Sequence, residues 1–253
     1  MRQFGLIGYP LSHSFSKGFF TEKFLNENIV GAHYDNFPIA SIQDFEALWL
    51  QHENLEGLNI TIPYKKEVIP FLHHSSEVVQ QIKACNCIRK FNNELYGYNT
   101  DVIGFEKSLL PFLKPHHTKA LILGTGGAAA AVEWVLQKLN ISYQFVSRQT
   151  NLKKSDDEME ATLSYHQLTA SIIAQHTLII NTSPVGMHPA ITEAPAMAYE
   201  ALTTQHHLYD LIYNPTETLF MKNGLAKGAT VQNGLAMLHI QAEESWTIWN
   251  AKM

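Results

Sequence analysis

Short apolar runs alternate with helix-length amphipathic stretches from one end of the chain to the other. This alternation is typical of parallel β-strands joined by crossover helices, and it predicts an α/β protein. In the first hundred residues, the apolar runs predict strands at 3–8, 32–37 and 57–62, and the amphipathic stretches predict helices at 14–28 and 41–51.

The pattern changes in the middle of the chain and then restarts. The segment ACNCIRKFNNELYGYN has two strand-like runs around Asn92-Asn93, which predicts a β-hairpin whose turn type stays open. A helical stretch follows at 102–113, and the alternation resumes at Lys119, so we predict a domain boundary within residues 101–118. Beyond it the predicted strands are 119–123, 142–147, 177–183, 207–213 and 229–232, and the predicted C-terminal helices are 217–228 and 234–251.

Composition narrows the kind of partner. Of 253 residues, 45% are hydrophobic and 16% are charged, and the net charge is -5. Such a chain offers no broad basic surface to phosphates, so we expect no nucleic acid and a small-molecule ligand held by local groups. No apolar run approaches the roughly 20 residues of a membrane helix, and the N-terminal apolar stretch is too short for a secretory signal. We therefore expect a cytoplasmic protein without a membrane partner.

Cysteines and histidines do not predict a metal site. Cys85 and Cys87 are two residues apart, a spacing that is poor for a disulfide or a zinc knuckle, so we expect reduced core thiols. The 13 histidines include three adjacent pairs, but none has the i, i+4 helical spacing with a carboxylate that is typical of catalytic zinc. No bound metal is expected.

A glycine loop follows the predicted strand 119–123 and opens an alanine-rich helix. Its spacing fits G-x-G-x-x-A at Gly124, Gly126 and Ala129. Small residues there let the backbone approach a pyrophosphate, and the helix N-terminus supplies N–H groups and partial positive charge. Because a strand precedes the loop and a helix follows it, we predict dinucleotide binding rather than a tight turn with a close helix–strand contact.

The end of the next strand indicates which dinucleotide is bound. An NAD site usually has an acidic residue there for the ribose 2′-hydroxyl. This chain has Ser147 and Arg148, with Lys153 and Lys154 soon after, and no carboxylate between Val146 and Lys154. A guanidinium suits a 2′-phosphate, so we favour NADP, with a solvated basic loop as the alternative.

Polar residues in the first half lie at predicted strand ends, where open α/β sheets bind ligands. Thr61 shares a strand face with Asn59, and Lys65 begins a predicted helix, where a cation either points into solvent or has a function. Asn86, between the two cysteines, is a further polar residue at a strand end. The remaining positions each have a structural alternative. Asp101 can cap a helix, Gln241 can bond to nearby backbone, and Ser12, Ser14 and Ser16 can form the polar start of a helix.

Together these segments resemble the shikimate dehydrogenases, in which HSFS, NITIPYK, ACN, GYNTD, GTGGAAAA, VSR, NTSPVGM, YDLIYNP and NGLAMLHIQA recur in this order over almost the whole chain. The resemblance implies two α/β domains with a cleft between them. One is an N-terminal substrate-binding domain, 1–101 plus 234–253, and the other is a Rossmann-like NADP-binding domain, 102–233. It also implies NADPH-dependent reduction of 3-dehydroshikimate to shikimate, in the pathway to chorismate and the aromatic amino acids.

The resemblance also assigns roles to residues of this chain. Lys65 and Asp101 match the catalytic pair. The implied substrate ligands are Ser14, Ser16, Thr61, Asn86, Tyr213 and Gln241. The implied cofactor residues are Gly124, Thr125, Gly126, Gly127, Ala128, Ser147, Arg148, Thr182, Ile212, Gly234 and Met237. Ser12 and His13 receive no role.

Two departures from the family pattern bear on these expectations. Ser147-Arg148-Gln149 stands where the family often has Asn-Arg-Thr, which predicts a weaker preference for NADP. Longer members add a C-terminal helix, and we expect its absence to affect packing or assembly more than chemistry. The alternatives are a quinate/shikimate dehydrogenase with relaxed cofactor use and a non-catalytic ligand-binding homologue. We expect a monomer or a homodimer.

Overall fold

The protein contains two β-sheets, each with its own helices. The structure is a computed structural model, which describes residues 1–11, 14–148 and 162–252. The chain divides into two compact units, Met1–Ile103 with Gln241–Met253 and Gly104–Ile240. Both units combine β-strands with α-helices, and parallel pairing occurs in both sheets. The α/β prediction is therefore confirmed.

The first unit has a six-stranded sheet of order β2-β1-β3-β5-β6-β4. Strands β1, β2 and β3 run parallel, whereas β5 is antiparallel to both β3 and β6. Its elements are β1 Arg2–Gly8, α1 Phe15–Asn26, β2 Ala32–Pro38, α2 Phe45–Gln51, β3 Leu55–Ile60, β4 His74–Ser75, α3 Glu77–Ile82, β5 Cys87–Phe91 and β6 Glu94–Tyr98. Helix α4, Asp101–Leu109, begins in this unit.

The second unit has a five-stranded, wholly parallel sheet of order β11-β10-β9-β7-β8. Its elements are β7 Lys119–Leu123, α5 Gly127–Lys138, β8 Ser142–Val146, α6 Ala170–Gln175, β9 Leu178–Asn181, β10 His207–Asp210, α7 Leu219–Leu225 and β11 Thr230–Gln232, and α8 Leu235–Asn250 closes the chain. Strands β9 and β10 are buried along their whole length, as expected of a parallel sheet covered on both faces. The carboxyl ends of these strands share one edge, the usual place for ligands.

The C-terminal part of α8 belongs to the first unit, where it packs on the sheet through Trp249. The Trp249 ring stacks on Phe4 with 4.8 Å between centroids, and its indole N–H donates to the Ile88 carbonyl at 2.9 Å. A Cβ at Gly57 would lie 2.4 Å from the Trp249 ring nitrogen, so only glycine leaves room for this ring. This packing brings the polar residues of α8 to the sheet.

The hairpin predicted around Asn92-Asn93 is present between β5 and β6. Both asparagines have positive φ, 49° and 63°. Two consecutive left-handed residues form the primed turn that matches strand twist, and asparagine is the non-glycine residue that tolerates this conformation best. The turn type, open in the sequence, is thereby defined.

Candidate active site

Lys65 lies on the turn segment that follows β3, where its ammonium contacts a carboxylate. Its Nζ donates to Asp101 Oδ2 at 2.7 Å, and both side chains are largely buried, with 23% and 13% of their surface exposed. A close ion pair shielded from water fixes the position of both groups. The two residues assigned as the catalytic pair are therefore in direct contact.

The helix predicted to begin at Lys65 is wrong. Residues 62–68 form turns, followed by a 3-10 helix at Ile69–Phe71. The Lys65 carbonyl accepts a hydrogen bond from the Cys85 N–H at 2.7 Å, so it is engaged outside any helix, and the Ile69 N–H turns to Lys66 instead. Lys65 therefore does not lie at the start of a helix, and the dipole of such a helix does not act on its ammonium.

Asp101 is not the cap of the helix that it begins. The Asn99 side-chain oxygen accepts from the N–H groups of Asp101 and Val102, at 3.0 and 3.4 Å, and thereby satisfies two free donors of α4. Asparagine takes the structural role that the sequence allowed for the aspartate. The Asp101 carboxylate is left to face Lys65.

Ser14 occupies the N-cap position of α1 but does not cap it. Its side chain makes no capping hydrogen bond, and its buried Oγ has no hydrogen-bond partner in the part of the chain that the structure describes. A buried hydroxyl without a partner is costly, so its retention at a helix N-terminus is consistent with a ligand site. Ser12 and His13 lie outside the described residues.

Asn86, Thr100 and Gln241 form one buried polar cluster. The Thr100 N–H donates to Asn86 Oδ1 at 2.6 Å, and Asn86 Nδ2 donates to the Thr100 hydroxyl at 3.0 Å. The same hydroxyl lies 3.3 Å from Gln241 Oε1. Two of the predicted substrate ligands are thus joined through a threonine that the sequence analysis did not single out.

The cluster extends through three further buried residues, Asn59, Ser245 and Tyr34. Asn59 Nδ2 donates to the Ser245 hydroxyl at 2.8 Å, and that hydroxyl lies 3.4 Å from Thr100 Oγ1. Tyr34 donates its hydroxyl hydrogen to Asn59 Oδ1 at 2.9 Å. Sequence reasoning missed Tyr34 and Ser245, because an aromatic residue in a strand and a serine on a helix give no local signal.

Thr61 follows β3 directly, as predicted. Its N–H donates to the Ile7 carbonyl at 2.9 Å, which ties it to the end of β1. A Cβ at Gly8 would lie 2.4 Å from the Thr61 methyl group, so glycine is needed for this approach. The half-buried Thr61 side chain thus lies at the carboxyl edge of the sheet.

In the second unit a cavity of about 320 Å³ opens at the carboxyl ends of β7, β8 and β9. Its lining residues are Gly124, Thr125, Gly126, Ser147, Arg148, Tyr165, Thr182, Ser183, Pro184 and Val185. Six of them were predicted as cofactor residues. The other four, Tyr165, Ser183, Pro184 and Val185, were not, although the last three lie in the NTSPVGM segment.

The glycines of the loop have different structural reasons. Gly124 has φ of 113°, and a Cβ there would lie 3.0 Å from Thr182 Oγ1, so both conformation and space require glycine. A Cβ at Gly126 or Gly127 would meet nothing within 4 Å. Their hydrogens therefore leave open space at the N-terminus of the 12-residue helix α5, where a pyrophosphate would fit.

The basic end of the cavity is formed after β8. Ser147 is buried and its N–H donates to the Leu163 carbonyl at 2.9 Å, whereas Arg148 is exposed. Burial raises the pKa of Tyr165, which lines the same cavity, and the charge of Arg148 has a smaller, opposite effect on that pKa. The predicted contributions of Gln149, Lys153 and Lys154 lie outside the described residues.

Five predicted cofactor residues are not among the lining residues of this cavity. Gly127 and Ala128 form the first turn of α5. The Gly234 N–H donates to the Ile212 carbonyl at 3.0 Å, and a Cβ at Gly234 would lie 2.0 Å from the Leu211 oxygen, so this glycine is required by packing. Met237 is buried. Tyr213, which was predicted as a substrate ligand, is 37% exposed.

Asp210, at the end of β10, is a buried carboxylate that the sequence analysis did not identify. It accepts from Thr218 Oγ1 at 2.6 Å, from Asn181 Nδ2 at 3.0 Å and from the Ile212 N–H at 3.1 Å. Burial raises its pKa to about 6, against the opposite effect of these hydrogen bonds. Because Asn181 also accepts from the Ser183 hydroxyl at 2.7 Å, Asp210 is connected to the cavity at the carboxyl ends of β7, β8 and β9.

Cys85 and Cys87 are buried free thiols whose pKa values are raised by burial. No group of three histidine, cysteine, aspartate or glutamate side chains that could hold a metal ion occurs within residues 1–11, 14–148 and 162–252. Over the same residues, no helix has both the length and the apolar character needed to cross a membrane.

Comparison with known proteins identifies the family. Residues 6–88 match the profile described as "Shikimate dehydrogenase substrate binding domain". A shikimate dehydrogenase (NADP(+)) from Carboxydothermus hydrogenoformans is 37% identical over 257 residues, which cover 96% of this chain and 90% of that protein.

Solved structures agree with this relationship. A chorismate mutase/shikimate 5-dehydrogenase fusion protein from Clostridium acetobutylicum matches with a TM-score of 0.87 and 33% identity, over 99% of this chain and 91% of that one. A quinate dehydrogenase from Corynebacterium glutamicum in complex with NAD also has a TM-score of 0.87, with 26% identity, over 98% of this chain and 93% of that one. The resemblance found in the sequence is confirmed, and the chain belongs to the shikimate dehydrogenase family.

Proposed function

We propose that this protein is an NADP-dependent shikimate dehydrogenase, an oxidoreductase that catalyses the reversible reduction of 3-dehydroshikimate to shikimate. The observation that carries the proposal is the contact between Lys65 and Asp101, 2.7 Å apart and largely buried, in a chain of this family. A protein that only binds a ligand has no need of such a pair. The reaction belongs to the pathway to chorismate and the aromatic amino acids.

Lys65 acts on the oxygen that changes between carbonyl and alcohol. Bound NADPH supplies the hydride to the C3 carbonyl carbon. The developing alkoxide requires a proton and charge stabilisation, and the Lys65 ammonium provides both. Asp101 keeps the ammonium in position and shares in its proton exchange, so the two groups act as a coupled pair.

The substrate is a ring with a carboxylate and several hydroxyl groups, which hydroxyl and amide side chains can bind with few charges. Ser14 and Ser16 are proposed to bind the carboxylate. The Ser14 hydroxyl, which has no partner among the residues that the structure describes, and the N-terminus of α1 both favour an anion. The remaining proposed ligands of the ring are Thr61, Asn86, Gln241 and Tyr213. The buried hydrogen bonds of Asn86 support this assignment, because they fix its amide.

The second unit is proposed to bind NADP, and the first unit to supply all of the proposed substrate ligands except Tyr213. The open space over Gly126 and Gly127 fits a pyrophosphate, and Arg148 at the same cavity fits a 2′-phosphate. Thr125, Ala128, Ser147 and Thr182 complete the nucleotide side of the proposed site. Ile212, Gly234 and Met237 are proposed to lie by the nicotinamide and its ribose.

The proposed location is the cytoplasm, and the proposed state is a monomer or a homodimer. Two buried free thiols suit a reducing compartment. Sedimentation of the purified protein at several concentrations distinguishes the two oligomeric states.

A spectrophotometric assay tests the proposed function. The oxidation of NADPH by 3-dehydroshikimate is followed first, and the assay is then repeated with NADH instead of NADPH. We expect kcat/KM to be about tenfold or more higher with NADPH, because a charge-assisted contact to the 2′-phosphate adds about 1.5 to 3 kcal/mol. Arg148→Ala should remove most of this preference, whereas Lys227→Ala, which changes an exposed cation outside the cavity, should not. No turnover with either cofactor would refute the proposal.

The likeness to a quinate dehydrogenase with bound NAD supports a second candidate, a quinate/shikimate dehydrogenase. Against it stands the end of β8, where Ser147 and Arg148 offer no carboxylate to a ribose 2′-hydroxyl. Oxidation of quinate with NAD at a rate near that of shikimate with NADP would favour this candidate over the first.

A further inference from the structure

Tyr34 is a buried residue of β2 whose hydroxyl lies near two polar side chains of the first unit, Asn59 and Ser16. Its hydroxyl donates to Asn59 Oδ1 at 2.9 Å. Burial raises the pKa of Tyr34, and the Ser16 side chain lies close enough to have the opposite effect, one helical turn before the Phe20 ring that stacks on Tyr34. The tyrosine is 4% exposed and Asn59 is 5% exposed. Tyr34 therefore fills the core with its ring and also forms a buried hydrogen bond with its hydroxyl.

The ring of Tyr34 is held firmly. It stacks on Phe20 with 4.5 Å between ring centroids and an interplanar angle of 14°, and Trp249 packs at 6.3 Å. Strand β2 carries the residue, and its pairing with β1 in parallel register fixes the backbone. The hydroxyl oxygen therefore has a defined position, set by packing that is independent of its hydrogen bonds.

From Tyr34 a continuous path of buried polar contacts leads to Asn86 and Gln241. Asn59 Nδ2 donates to Ser245 at 2.8 Å, and Ser245 Oγ lies 3.4 Å from Thr100 Oγ1. Thr100 in turn is bonded to Asn86 and Gln241. Two residues proposed to bind substrate, Asn86 and Gln241, thus share one hydrogen-bonded network with Tyr34, and Ser16 lies beside the tyrosine.

A tyrosine hydroxyl both donates and accepts one hydrogen bond, so it can hold Ser16 in two ways. While Tyr34 donates to Asn59, its oxygen can accept the Ser16 hydrogen. When Ser16 turns that hydrogen toward a carboxylate, its lone pairs become available to the phenol. Phenylalanine has the same shape but supports neither arrangement.

We propose that Tyr34 is a positioning residue for the substrate carboxylate, acting through Ser16. It contacts neither the substrate nor the cofactor in this scheme, but fixes the rotamer of the serine that does. The inference rests on the proposed function, because it requires Ser16 to bind shikimate.

The test compares Tyr34→Phe, Ser16→Ala and the double variant in shikimate oxidation. We expect Tyr34→Phe to raise KM for shikimate about fivefold, the usual net value of one hydrogen bond, while kcat and KM for NADP stay within about twofold. In the Ser16→Ala background the same substitution should add nothing to KM. A merely structural role would not give this non-additivity.

Tyr209→Phe is the matched control. The Tyr209 hydroxyl is fully buried, lies 2.6 Å from Ser108 Oγ and belongs to the second unit. Its loss should lower thermal stability about as much as the loss of the Tyr34 hydroxyl but leave KM for shikimate unchanged. Thermal unfolding of each variant verifies that it is folded at the assay temperature.

The outcomes separate the inference from the proposed function. If Ser16→Ala raises KM and Tyr34→Phe does not, or if the two effects add, the role of Tyr34 is overturned and the proposed function stands. If Ser16→Ala leaves KM unchanged, both the assignment of Ser16 and the role of Tyr34 are overturned. If wild-type protein does not oxidise shikimate, the proposed function fails and the inference fails with it.

Discussion

Lys65 is the residue whose replacement should have the largest chemical effect. Lys65→Ala removes the only proposed proton donor to the substrate oxygen, while the hydroxyl and amide ligands remain. We therefore expect kcat to fall about 100-fold or more with a smaller change in KM, the scale of general acid catalysis. Steady-state kinetics with 3-dehydroshikimate and NADPH measure both parameters.

Lys66→Ala provides the control for that measurement, because Lys66 is the next residue and is exposed. Its kcat should stay within about twofold of the wild-type value, as for most surface substitutions. A Lys65→Ala enzyme with nearly normal kcat would contradict the assignment.

Asp210 and His207, both buried on β10, give opposite contributions to the pH dependence of stability. Burial raises the pKa of Asp210 to about 6, above its usual value of 3.8, so between these values the folded state holds a proton that the unfolded state has lost. Stability therefore falls as pH rises through this window. Burial lowers the pKa of His207 to about 4, below its usual 6.5, so there the unfolded state holds the extra proton and stability rises with pH.

Asp210→Asn should remove the first contribution and leave the second. As pH rises from 4.5 to 7.5, the free energy of unfolding of the variant should increase relative to that of wild type, by an amount on the order of 2 kcal/mol. Urea unfolding at several pH values measures this difference, with Asp44→Asn as the control because Asp44 is exposed. A stability difference that is constant over this range would contradict the shifted pKa of Asp210.

At the scale of elements, the loop from β7 to α5 separates two uses of glycine. Gly124→Ala forces a side chain onto a residue with φ of 113° and within 3.0 Å of Thr182 Oγ1. We expect the free energy of unfolding to fall by about 1 kcal/mol or more. Gly126 has φ of -76° and open space around it, so Gly126→Ala should change stability by less than about 0.5 kcal/mol.

The cofactor should respond in a different order from stability. The methyl group of Gly126→Ala projects into the space proposed for the pyrophosphate, so KM for NADPH should rise about tenfold or more, whereas KM for 3-dehydroshikimate should not change. Chemical unfolding and kinetics on both variants measure the two effects. If Gly126→Ala bound NADPH normally, the pyrophosphate would lie elsewhere.

Sequence patterns predicted the elements better than the local details that define the site. Alternating apolar runs indicate strands because their period follows from backbone geometry, and most of the predicted strands and helices are present. The helix at Lys65 was wrong because its backbone carbonyl bonds to Cys85, 20 positions along the chain. Likewise, Asn99 rather than Asp101 caps α4, and only the tertiary contact with Lys65 distinguishes the two.

The buried network illustrates the same limit. Tyr34, Asn59 and Ser245 come from two strands and a helix, and no spacing in the sequence connects them. Long-range hydrogen bonds of this kind depend on sheet register and on the packing of Trp249 against Gly57. The resemblance to a family supplied the proposed ligand residues, whereas the structure identified the buried residues that are hydrogen-bonded to some of them.

At the scale of the whole molecule, the two units should respond separately to the two ligands. A ligand stabilises the state that binds it by RT ln(1 + [L]/Kd), about 2.7 kcal/mol at a hundred times Kd. Amides that exchange by opening of the binding unit should then be protected up to about 100-fold. We expect NADP to protect amides within residues 104–240 first, and shikimate to protect amides within 1–103 and 241–253.

Hydrogen exchange followed by mass spectrometry, with each ligand added alone, measures this division. Arg148→Ala should weaken the protection by NADP and leave the protection by shikimate unchanged, because the substitution lies in the proposed cofactor cavity of the second unit. Ser14→Ala should do the reverse, since its hydroxyl belongs to the first unit. Protection by shikimate that was confined to residues 104–240 would contradict the assignment of substrate to the first unit. It would also remove the basis for treating Ser14, Ser16, Asn86 and Gln241 as ligands.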